Sequence, residues 1–146
     1  MAWLAGGVPI NTQIRVYEGG WLAFSQEFPQ GLNGSSTGDA TKVISSFPSF
    51  KLPSADSGDD RGYLCYNGPM MGANYRTGPF AGAVDTMPGG IEGTGPLIIF
   101  SKDPASRAAV VLSPLSSFMS ANHYVDTSTS ALRYGIMGRV KSLPKG

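Results

Sequence analysis

His123 is the only histidine of the chain, and a lone imidazole limits the chemistry this sequence can support. Zinc sites built on several histidines, and the H-E-x-x-H arrangement, need a second one and are excluded. A Ser-His-Asp set can still be drawn from His123, the abundant serines and Asp126. It would need a serine held on a sharp turn and an acid that orients the ring. The sequence contains no G-x-S-x-G, and Asp126 lies too close to His123 in sequence to be an obvious orienter. The competing reading makes His123 a surface or partly buried polar residue.

Cys65 is the only cysteine, so no intramolecular disulfide and no cysteine-based zinc site can form. Between Leu64 and Tyr66 it reads as a buried structural thiol, because a reactive thiolate needs exposure and neighbouring positive charge. The run Asp56-Ser57-Gly58-Asp59-Asp60 is the one acidic cluster, and close carboxylates on a loop can hold calcium. Its spacing does not match an EF-hand, and beside Arg61 a solvated loop is the ordinary reading. No metal ligand is therefore assigned, and no cofactor is called for.

Ten acidic residues leave room for a carboxylate pair of the glycosidase kind, though sequence alone does not pair them. Gly89, Gly90, Gly93 and Gly95 precede a strand instead of opening a helix, so tight turns explain them better than phosphate binding. Trp21, Tyr63, Tyr66, Tyr75 and Tyr124 have the chemistry of a sugar-stacking surface, while core packing is the common fate of such rings. From these candidates, Trp21, Tyr66, Asn67 and His123 are the residues we assign to a carbohydrate-binding surface.

The elements that must position them are strands. Gly at 20 and Pro at 11 positions interrupt the chain too often for helices, and short β-branched and aromatic runs lie between turns. Gln13–Tyr17, Glu18-Gly19-Gly20 and Trp21–Phe28 read as a hairpin, since glycine reaches positive φ at little cost. Lys42–Phe50, broken at Pro48, suits an edge or a bulge. Gly62–Asn67 is a short aromatic strand, and Gly68–Gly82 an irregular connection followed by a weak strand at Ala83–Met87. Pro96–Ser101 and Ala108–Leu112 form a second hairpin about Asp103-Pro104. Ser116–His123 reads equally as a helical turn or a strand. Leu132–Val140 is the last strand, with Gly135 and Gly138 inside it.

The expectation is an all-β protein: one antiparallel β-sandwich over residues 1–146, with short strands and long Gly/Pro/Ser-rich loops. Its length is near the commonest domain size. Charged residues make up only 14% of the chain, against roughly 25% in ordinary domains. Net charge is +1 and no two basic residues are adjacent, which argues against nucleic acid as a partner. No apolar run approaches a membrane span, and Met1–Pro9 carries no signal-peptide pattern. Asn33-Gly34-Ser35 fits the glycosylation acceptor pattern, which is common by chance.

Taken in order, Ser45–Phe50, Gly62–Gly68, Gly95–Phe100, Val111–Phe118, Gly135–Gly138 and Leu143–Gly146 resemble the N-terminal β-sandwich region of α-galactosidase-like and raffinose-synthase-like glycoside hydrolases. In that family the catalytic aspartates belong to a (β/α)₈ barrel that follows the sandwich, and none of them maps onto this sequence. The resemblance thus implies a non-catalytic accessory region whose partner is a missing catalytic domain. A free-standing glycan- or protein-binding module is the alternative, and a small hydrolase with its site in the loops is the third reading.

Overall fold

The computed structural model describes residues 1–52, 61–66, 75–80 and 92–146. These residues form an all-β fold of antiparallel sheets, with one 3-10 turn at Phe118–Ser120 and no closed barrel.

Two four-stranded sheets face each other. The first runs β10-β9-β6-β7, from β6 (Arg61–Tyr66), β7 (Tyr75–Pro79), β9 (Leu97–Ser101) and β10 (Ala109–Leu112). The second runs β5-β12-β11-β8, from β5 (Val43–Lys51), β8 (Glu92–Gly93), β11 (Ala121–Asp126) and β12 (Ala131–Met137). Side chains alternate across a strand, so Tyr63 and Cys65 of β6 share one face with their register partners Ile99 and Leu97 of β9. That face meets Leu132 of β12 in a core completed by Leu52 and Phe80, with Val125 of β11 packed against it. The two inner faces are those expected of a sandwich.

A third sheet stands beside this pair, formed by β1 (Ala2–Ala5), β2 (Val8–Tyr17) and β3 (Trp21–Glu27) in that order. The β2–β3 hairpin pairs Tyr17 with Trp21 and turns at Gly19 and Gly20, both at positive φ, as the sequence pattern implied. Its neighbour was not anticipated: Gly6 and Gly7, also at positive φ, close a second hairpin between β1 and β2. Two consecutive glycines between short apolar runs were the signal. The sheet is anchored through Phe24, whose ring meets Phe47 and Phe50 of β5 edge-on at 5.7 and 6.1 Å.

A fourth, two-stranded pairing ties the last strand to the segment that follows β3. Here β4 (Leu32–Asn33) pairs with β13 (Ser142–Leu143). Just beyond β12, Gly138 accepts a 2.8 Å hydrogen bond from the Thr37 amide and donates another of 2.8 Å to the Lys42 carbonyl. A Cβ there would sit 2.2 Å from the Asp39 carbonyl oxygen. Gly135 is equally constrained: a Cβ would lie 2.0 Å from the Ser45 carbonyl oxygen, at an irregularity in the β12–β5 register. Both glycines of the last strand mark close backbone approach.

Two further expectations need correction. Tyr75–Pro79, read as irregular connection because Gly and Pro flank it, pairs along β6 as an edge strand, where proline is tolerated. Glu92–Gly93, read as turn, is the edge strand β8. The acidic cluster Asp56–Asp60, Asn67, the strand expected at Ala83–Met87 and the Gly89-Gly90 pair lie outside the described residues.

Candidate functional site

Of the candidates assigned from sequence, the three among the described residues lie on three different sheets. Trp21 lies at the tip of the β2–β3 hairpin, 74% exposed, directly across from the half-exposed Tyr17. Tyr66 ends β6 opposite Tyr75, on the face of its sheet turned away from the core. His123 belongs to neither place.

His123 is fully buried, which corrects both the sugar-surface assignment and the expectation of a surface or partly buried polar residue. The reason is strand parity. Ala121–Asp126 is a strand, and His123 shares the inward face with Val125. Its ring stacks on that of its register partner Tyr134 at 5.3 Å and 16° between planes. The Tyr134 hydroxyl donates to the Gly95 carbonyl at 3.2 Å. Among the described residues neither ring nitrogen of His123 has a hydrogen-bond partner, and the same holds for Nδ2 of the buried Asn122. Buried polar groups are nearly always paired, so these atoms are exceptions that need a reason. Burial alone drives the His123 pKa down to about 4, because a core without partners penalises the charged ring. Burial likewise raises the Tyr134 pKa.

The acid that a catalytic His123 would need is placed elsewhere. Asp126 shares the opposite face of β11 with Asn122 and Tyr124. There it receives a 3.1 Å contact from the Arg133 guanidinium and a 2.6 Å hydrogen bond from the Ser128 hydroxyl. The bonds from Ser128 and Thr129, reinforced by Arg133, hold its pKa down to about 2. On the same side Lys42 places its ammonium 4.3 Å from the centre of the Tyr124 ring. The Tyr124 pKa rises, chiefly through burial and then through the charge of Asp126. This is a structural network on a sheet face, since each of its charges is already engaged. Cys65 is buried in the core, as its apolar context implied. Among the described residues no group of three His, Cys, Asp or Glu side chains is placed to hold a metal.

The surface feature that sequence reasoning missed is on the third sheet. Register places Trp3, Ile10, Thr12, Ile14 and Val16 on one face, together with Leu22 and Phe24. The 2.6 Å hydrogen bond from the Trp3 indole to the Thr12 hydroxyl fits that placement. In the middle Phe24 is covered by β5, but towards the hairpin tip the face is bare: Val16 is 77% exposed, Leu22 56% and Ile14 49%, while Trp3, 53% exposed, lies at the opposite end of β2 beside Ile10. No charged side chain of β2 or β3 shares it, because Arg15 and Glu27 fall on the other parity. The signal was present in the alternation of Ile14 and Val16 against Gln13 and Arg15, which specifies an apolar face without saying what covers it.

No protein-family model matches the chain, and neither does any curated protein or solved structure. Among the described residues no helix is long and apolar enough to cross a membrane.

Proposed function

We propose that this chain is a non-catalytic β-sandwich unit of a carbohydrate-active enzyme, docking on a catalytic domain through the apolar face of β1–β3. The observation that carries the docking half is the bare stripe of Ile14, Val16 and Leu22. A contiguous uncharged apolar face of this kind marks an interaction surface, because isolated apolar side chains are common on proteins and continuous patches are not. The non-catalytic half is supported by the separation of His123 from Asp126 on opposite faces of β11. The carbohydrate context rests on the sequence resemblance, and its partner there is a (β/α)₈ barrel.

The test uses the barrel domain encoded with this chain or in a neighbouring gene. Mixed with it, the chain should form an equimolar complex in size-exclusion chromatography, and Val16→Glu with Leu22→Glu should abolish it. The chain alone should not turn over aryl galactosides. Hydrolysis by the isolated chain, or the absence of any such barrel, overturns the proposal.

A second reading, a glycan-binding module, draws support from the exposed cross-strand pair Tyr17 and Trp21. Paired aromatic faces suit sugar rings. A glycan array separates the two: signal lost in Trp21→Ala and unaffected by Val16→Glu favours the module.

A further inference from the structure

Strand β11 has unequal neighbours. On one side lies β12, which is itself paired on its far edge by β5. On the other lies β8, an edge strand of two residues that pairs through His123 with Gly93 and Tyr124 with Glu92 and also lies against β6. The segment after β8 is fixed by the hydrogen bond from the Tyr134 hydroxyl to the Gly95 carbonyl. His123 and Tyr134 stack on the inner face beneath this edge, and neither imidazole nitrogen is bonded.

We propose that His123 is an acid-sensitive latch: protonating its buried ring releases strand β8 and exposes the edge of β11 while the rest of the sandwich stays closed. An imidazolium in the core has no acceptor among the described residues for either N–H and must reach water. Among the described residues the groups facing it offer no compensating charge. Tyr134 is on its own sheet, and Tyr63 and Cys65 are on the inner face of the opposing sheet, with Leu97 and Ile99 of β9. From β8 the register partner is Gly93, which carries no side chain. Asp126, Arg133, Tyr124 and Lys42 lie on the other face of the sheet. The shortest way out is past β8, because moving β12 would break its pairing with both β11 and β5.

Burial holds the ring's pKa near 4, whereas a ring released to solvent titrates near 6.5. Between those values the open form binds a proton that the closed form does not, so opening grows as pH falls and levels off below about 4. The full separation corresponds to a rise of about two and a half orders of magnitude in the opening constant.

The test is amide hydrogen exchange on the full chain, corrected for intrinsic rates, at pH 7, 6 and 5. Protection at Gly93, Thr94 and Gly95 should fall roughly ten-fold for each pH unit below 6.5. Amides of Leu64 and Ile98 should hold theirs. His123→Phe keeps a stacked ring and should make the response flat. Uniform loss across both sheets, or protection independent of pH, overturns the latch. If the variant does not fold, an NMR titration of the His123 ring in the unaltered protein decides, and a native pKa near 6.5 refutes the proposal.

Discussion

The sandwich and the β1–β3 sheet break the rule of apolar inside and polar outside in opposite directions. Among the described residues the sandwich encloses His123 with both ring nitrogens unbonded and buries the Asn122 amide on the outer face of the same strand, and the third sheet presents Ile14, Val16 and Leu22 to solvent. Departures of this kind cost stability, and they concentrate where a chain answers to something other than its own fold. In the sandwich the exception is one strand, β11, surrounded by well-packed apolar side chains. On the third sheet it is the whole outer half of a face. The first therefore affects how the fold responds to its medium, and the second affects what the fold meets.

Substitutions should separate the regions by size of effect. Leu132→Ala, at the centre of the core, should cost about 3 kcal/mol in denaturant unfolding, from lost burial and the cavity left behind. A cost below 1 kcal/mol would mean the two sheets are not packed as described. Acid should come next. The folded pKa of His123 lies below its unfolded value, so stability is complete above pH 6.5 and declines as pH falls towards 4. The loss amounts to at most about 3 kcal/mol, and urea midpoints measured in that window in His123→Phe and the unaltered chain should diverge.

Asp126→Asn should have a smaller effect, about 1 kcal/mol or less, since the pair with Arg133 is only partly buried. The carboxylate's pKa is depressed, so its contribution is present above about pH 4 and fades as pH drops towards 2. The smallest effect on stability belongs to the third sheet: Val16→Ser and Leu22→Ser should shift unfolding by no more than about 0.5 kcal/mol. The same changes should weaken association, read by sedimentation. A large stability loss there would show that the face is covered from within, and the contrast between the regions would collapse.

Local sequence recorded some of this and left the rest to tertiary partners. The β2–β3 and β9–β10 hairpins were legible because alternating side chains and a turn sequence stand next to each other in the chain. β7 was obscured by Gly78 and Pro79, residues that an edge strand tolerates and a central one does not. The burial of His123 was not legible, because Ser116–His123 fitted a helical turn and a strand equally, and only pairing with β12 fixes which way the ring points. Gly135 and Gly138 read as interruptions, while their cause, the Ser45 and Asp39 carbonyls, lies far away in sequence. The bare face of β1–β3 was half visible, since a pattern predicts a face and not its cover.

The clamp between the Ser35–Thr37 segment and the end of β12 also has a temporal consequence. The Ser35 hydroxyl bonds the Val140 carbonyl across 105 residues, and β5 closes on β12 over a similar span. Contacts so distant in sequence pay loop-closure entropy before they return any stability, which slows folding. During synthesis the β1–β3 sheet, built entirely from local hairpins, has its pairings available long before Val140 leaves the ribosome. The nascent chain therefore presents its apolar face first, while the sheet that should carry His123 still lacks its central strand.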